Sequence, residues 1–170
     1  MEDTFFAYLH RLELLAFFSG YPLLYAVIVF IAGKERSKTT IKGRIVSMLP
    51  YGYALVGSLY LGLQLKNLYP DYSFKNIELT MEDPFLISWG LLSILFWIPT
   101  LSKKPVLSLL HSLIFFFFLA RDLFFHSFYQ VDKMVVRNNM NIYTNSLLIN
   151  MAAFAFIVLI SYLFIRRKRQ

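Results

Sequence analysis

Long apolar runs separated by short charged stretches dominate this chain. Residues 12–33, 45–65, 84–101, 105–128 and 145–165 each approach or exceed the roughly 20 apolar residues that an α-helix needs to cross about 30 Å of hydrocarbon. The pattern predicts an all-α fold: an integral membrane helical bundle of five transmembrane helices, forming one polytopic domain over residues 1–170 with no separate soluble domain. The short alternating segments of a membrane β-barrel do not occur. Asp83 followed by Pro84 suits a cap and a first helical position, and Pro105 is placed to open the fourth helix. Only "SKK", Ser102 to Lys104, separates the third helix from the fourth, which predicts an antiparallel hairpin.

The polar connections carry most of the charge and give the bundle a direction. The first, "KERSKTTIKGR", has five basic residues against one acidic; the third has Lys103 and Lys104, and the tail "RRKRQ" adds four more. The second and fourth connections, with the N-terminal segment, hold far fewer, so the two sides carry eleven basic residues against five. Basic residues stay on the cytoplasmic side, which predicts an N-terminus outside and a C-terminus in the cytoplasm. An odd number of crossings agrees with that alternation.

Composition narrows the setting further. The 170 residues are 58% hydrophobic and 16% charged, and the mean hydropathy of +0.56 is too high for an ordinary soluble domain of this length. The start "MEDTFF" lacks the basic region of a cleavable signal peptide, so the first apolar run is expected to remain as a helix. The net charge of +7 is accounted for by topology and by anionic lipid headgroups, and calls for no nucleic acid. Without cysteine the chain has no disulfide, thiol nucleophile or thiolate metal site. The expected location is a bacterial inner (plasma) membrane.

Several features fall within the predicted helices. Ala54, Ser58 and Gly62 recur at four-residue spacing, a row of small residues that lets two helices approach closely in lipid. "SGYP", Ser19 to Pro22, lies in the middle of the first helix and predicts a kink, since proline removes a backbone hydrogen bond. Trp89 and Trp97 suit the two interfaces of the third helix. The tyrosines, Tyr21, Tyr53 and Tyr60 among them, are expected as anchors or packing groups with a polar tip. Asn150 is placed to hydrogen-bond across to a neighbouring helix.

The sharpest feature is "FFFFLARDLFFH", residues 115–126. Counted from Pro105, Asp122 lies about 26 Å along the helix, near the outer boundary. At about 100° per residue, His111, Asp122 and His126 share one polar face with Ser108, and Arg121 points away from it. Counting back from Gly33 puts Glu13 at a similar depth, beside His10 and Arg11. His10, Arg11, Glu13, His111, Arg121, Asp122 and His126 thus form a candidate polar cluster near the outer surface. Three uses are open to it: ion pairs that tie two helices together, a water-lined path for ions or protons, or a catalytic or metal centre.

No phosphate-binding loop, zinc-protease helix, nucleophile elbow or dinucleotide fingerprint occurs, and no metal, cofactor or catalytic residue is assigned. The expected function is that of a non-catalytic subunit, or docking or sensing component, of a membrane complex, with itself or other membrane proteins as partners. The alternatives are a small transporter or oligomeric pore using the polar face of the fourth helix, and an integral enzyme acting on lipid-like substrates.

Overall fold

The computed structural model describes residues 12–33, 41–73, 84–128 and 133–167, and all regular structure among them is helical. Helix α1 covers Leu12–Ala32 with a turn at Ser19 and Gly20, and α2 covers Ile41–Leu68. Helix α3, Pro84–Leu92, tightens into a 3₁₀ stretch, Ser93–Trp97. The short α4 covers Pro99–Ser102, and the longer α5 and α6 cover Pro105–Phe128 and Lys133–Arg167. Three helical stretches are long and apolar enough to cross a membrane: Leu12–Ala32, Ile41–Leu68 and Arg137–Phe164, with mean hydropathies of 2.2, 1.3 and 2.4. The apolar parts of α3 and α5, Pro84–Trp97 and Pro105–Arg121, are shorter.

Helix α5 has the bounds that its leading proline predicts. The third predicted helix, by contrast, is interrupted. Pro99 has no backbone N–H and disfavours helical geometry in the residue before it. Ile98 is accordingly extended, with φ −72° and ψ 124°, and its N–H donates to the Leu95 carbonyl at 2.9 Å, closing the last tight turn.

Helix α6 begins at Lys133, well before the predicted Asn145. Residues 133–144 contain neither glycine nor proline, so nothing in the backbone stops the helix there. Their pattern is also helical: Asn139, Ile142, Ser146, Asn150 and Ala153 are all buried, at three- and four-residue spacing. Polarity had suggested a loop, and one-sided burial makes it a helix. At α1's other end Gly33 closes the helix with φ +67°, a conformation that glycine adopts without steric cost, and its N–H reaches the Val29 and Phe30 carbonyls.

Helix α2 is the axis of the bundle and touches α1, α3, α4, α5 and α6. Leu49, Tyr53, Ala54, Val56 and Tyr60 on it are fully buried. It packs closely on a neighbour at Gly57, where a methyl group would collide with the side chain of the buried Ser93 at the start of the 3₁₀ stretch. The small-residue row Ala54, Ser58, Gly62 does not stay on that contact: Gly62 is exposed, and a methyl group there would meet nothing within 4 Å. A row of every fourth residue drifts by about 40° per step around a helix. By Gly62 it has turned away from the partner that Ala54 faces.

Gly57→Ala is therefore expected to lower the thermal midpoint of the detergent-solubilised protein, with an overpacking cost of about 1–3 kcal/mol. Gly62→Ala leaves it unchanged or raises it, since alanine is the better helix former. Equal shifts for the two variants would show that Gly57 is not the close contact.

Candidate functional site

The polar chemistry of the described residues lies inside the bundle, where the broken α1 meets α5 and α6. Pro22 has no N–H to offer the Phe18 carbonyl, and the α1 backbone turns just before it. Ser19 bonds the Leu15 carbonyl twice, through its N–H at 3.0 Å and its hydroxyl at 2.6 Å. Two backbone groups at the turn are met by α6. The Gly20 N–H donates to Ser146 Oγ at 2.8 Å, and Asn150 Nδ2 donates to the Phe17 carbonyl at 2.7 Å. Ser146 and Asn150 are one helical turn apart, and Asn150 Nδ2 also donates to the Ser146 carbonyl at 2.8 Å. The two helices come so close that a side chain at Gly20 would run into the backbone of Ser146 and Leu147. Asn150 thus makes the crossing bond that its position in the fifth apolar run suggests.

Beyond the turn, α1 is joined to α5. Tyr21 Oη and Ser108 Oγ are 2.7 Å apart, and the Ser108 hydroxyl donates to the Pro105 carbonyl at 2.7 Å. The Tyr21 ring lies 4.4 Å from that of Tyr53 on α2. Tyr53 Oη in turn shares a 2.8 Å hydrogen bond with His111 Nδ1 on α5. His111 is partly buried among four rings. Trp89 stacks on it at 4.8 Å with an interplanar angle of 7°, and Tyr53, Phe96 and Phe115 stand around it at 5.6, 5.9 and 6.0 Å. The Trp89 indole donates to the His111 backbone carbonyl at 3.2 Å. His111 Nε2 is buried with no hydrogen-bond partner among the described residues.

Both tryptophans donate their N–H groups to neighbouring helices, for Trp97 Nε1 donates to Ser58 Oγ at 3.0 Å. These bonds tie α3 and its 3₁₀ extension to α5 and α2. The fully buried Tyr60 sits among Phe17 and Phe18, with ring centroids at 5.5 and 5.3 Å.

Of the predicted outer cluster, His111, Glu13 and Arg121 have described side chains. His111 belongs to the aromatic core described above. Glu13 is half-buried at the start of α1, and Arg121 is exposed with its guanidinium 5.4 Å from the centre of the Phe118 ring. His10 and Arg11 lie outside the described residues, as do the side chains of Asp122 and His126. Among the described residues no group of three or more histidine, aspartate or glutamate side chains is arranged to hold a metal ion. Sequence reasoning missed Ser146 and the Tyr53–His111 bond. Ser146 had a signal in its one-turn spacing from Asn150, whereas nothing in the sequence pairs Tyr53 with His111.

Comparison with protein families, with characterised proteins and with solved structures finds no match to this chain. Its reading therefore rests on the geometry of the site.

That geometry has a measurable energetic signature. Asn150→Leu removes two donated bonds and leaves the Phe17 carbonyl buried without its donor, for an expected loss of about 1–3 kcal/mol in reversible unfolding. Ser146→Ala costs less, about 1 kcal/mol. A double-mutant cycle of Tyr53→Phe with His111→Phe is expected to give a coupling of about 0.6–1.7 kcal/mol, the range for hydrogen bonds between membrane helices. A coupling of zero would mean that the two side chains do not meet.

Proposed function

We propose that this chain is an integral membrane protein of five crossings that serves as a non-catalytic subunit or docking component of a membrane complex. The observation that carries the reading is how the polar side chains of the core are used. Ser146 and Asn150 are committed to the α1 backbone, Tyr21 to Ser108, Tyr53 to His111, and both indoles to neighbouring helices. A transport site at a broken helix needs the freed backbone groups for its substrate. Here the Gly20 N–H and the Phe17 carbonyl are occupied by α6. His111, a member of the predicted polar face, is partly buried among aromatic rings and bonded to Tyr53. The chemistry of the core holds helices together, and the role left for the protein is to present its outer surface.

That surface suits lipid and other membrane proteins. Phe30, Phe85, Phe117 and Phe164 are 88%, 69%, 65% and 64% exposed, on α1, α3, α5 and α6. Large apolar side chains turned outwards on four helices are what a bundle in hydrocarbon requires. The crossings are α1, α2, α3 with α4, α5 and α6, with the N-terminus outside and the C-terminus in the cytoplasm. The bias of eleven basic residues to five supports that direction, as expected for the inner (plasma) membrane of a bacterium. Anionic headgroups are the partners of the basic ends.

The absence of cysteine makes the topology simple to test. Lys104→Cys is expected to react with a membrane-impermeant maleimide only after cells are opened, and Ser73→Cys in intact cells. The reverse pattern would invert the bundle, and labelling of both in intact cells would remove the third and fourth crossings. The subunit role is tested by native mass spectrometry of the protein extracted gently from its host membrane. A partner bound in fixed ratio is the expected result. A monomer that conducts ions in a planar bilayer would overturn the reading.

A further inference from the structure

Helix α6 has an inner face that sutures α1 and an outer face that is exposed along its length. Of the Arg137–Phe164 stretch only 17% is buried in its most apolar window, against 44% for both other long spans. Along its outer face Asn138, Asn141, Asn145, Leu148, Ala152, Ala155, Leu159 and Tyr162 are all exposed. They alternate at three and four residues over more than three heptads, the spacing by which one helix packs into another of the same kind. Ala152 and Ala155, in the middle, leave a shallow notch between Leu148 and Leu159, and small residues are what let helix backbones approach in lipid.

We propose that this face pairs with the same face of a second copy of the chain. The argument for a second copy lies in the polar positions. Copies inserted in one membrane share an orientation, so an α6–α6 contact about a two-fold axis is parallel and in register, and each residue meets itself. A charged side chain would repel its own copy in such a row. The three polar residues that lead the row are all asparagine, a neutral amide whose donor and acceptor satisfy those of an identical amide, and no charged residue falls on it between Asn138 and Tyr162. The amides of Asn138, Asn141 and Asn145 make no hydrogen bond to any described residue. The pairing rests on the membrane-inserted reading above and extends it by naming a partner and the surface that partner meets.

Disulfide cross-linking in native membranes tests it, using single cysteines in the cysteine-free chain. Asn145→Cys, Ala152→Cys and Ala155→Cys are expected to give covalent dimers on mild oxidation, and Phe117→Cys, equally exposed but on α5, to give none. Asn145→Lys, read out through a cysteine at position 152, is expected to lose the dimer, and Asn145→Gln to keep it. Monomer at all three seam positions, dimer in equal yield at Phe117, or a covalent adduct of the seam with a different protein would each overturn the pairing. Maleimide labelling of Lys104→Cys distinguishes this from a failure of the membrane reading: normal labelling without seam dimers removes only the pairing.

Discussion

Hydrocarbon offers no hydrogen bond, so a helix that breaks inside it needs a donor and an acceptor from elsewhere in the protein. The break in α1 imposes that demand, and α6 answers it. Ser146 accepts from the Gly20 N–H and Asn150 donates to the Phe17 carbonyl, so two side chains one turn apart each take up a backbone group at the break. The rest of the packing follows from where this fixes α1. Its second half is aimed so that Tyr21 reaches Ser108 on α5 and lies against Tyr53 on α2, and Tyr53 in turn holds His111. A chain of short contacts thus runs from α6 through α1 and α2 to α5. Glycine at position 20 is part of the same arrangement, since α6 occupies the space a side chain would need.

The interior is unusual in what fills it. Tyr21, Tyr53 and Tyr60 are among the largest fully buried side chains, alongside Phe18 and Phe115. On the membrane-inserted reading, with lipid as apolar as leucine, aliphatic side chains gain little by facing inwards. Aromatic rings gain more, from edge-to-face and stacked geometry and from a hydroxyl or indole that can bond across helices. The Phe18–Phe115 stack at 4.8 Å and the Trp89–His111 stack at the same distance join α1 to α5 and α3 to α5 in this way.

Much of the helical layout was legible because hydropathy and proline act locally. Pro105 opened α5 where expected, and the apolar run from Leu12 to Gly33 became α1 with a turn at "SGYP". Asn150 was readable too, since a lone amide in an apolar helix has few choices. Other features depended on the partner helix, which a single sequence does not display. That Gly57 and not Gly62 is the close contact is decided by Ser93, 36 positions later in the chain. The extension of α6 back to Lys133 was hidden because its residues look polar when counted and become one-sided only when wound around a helix. His111 was recognised as a chemical residue, but its surroundings, Trp89, Phe96 and Tyr53, come from two other helices.

The interruption at Ile98 leaves the protein with walls of unequal height. The apolar rise of Pro84–Trp97, nine α-helical and five 3₁₀ residues, is about 24 Å, and Pro105–Arg121 gives about 25 Å. Ile41–Leu68 and Arg137–Phe164 each reach about 42 Å. Their ends are polar, however, and the apolar middles, residues 45–65 and 145–165, give about 32 Å, close to the roughly 30 Å of hydrocarbon. On the five-crossing reading proposed above, the α3–α5 hairpin is then the low side of the bundle, and lipid would have to thin only beside it, at a small elastic cost per ångström.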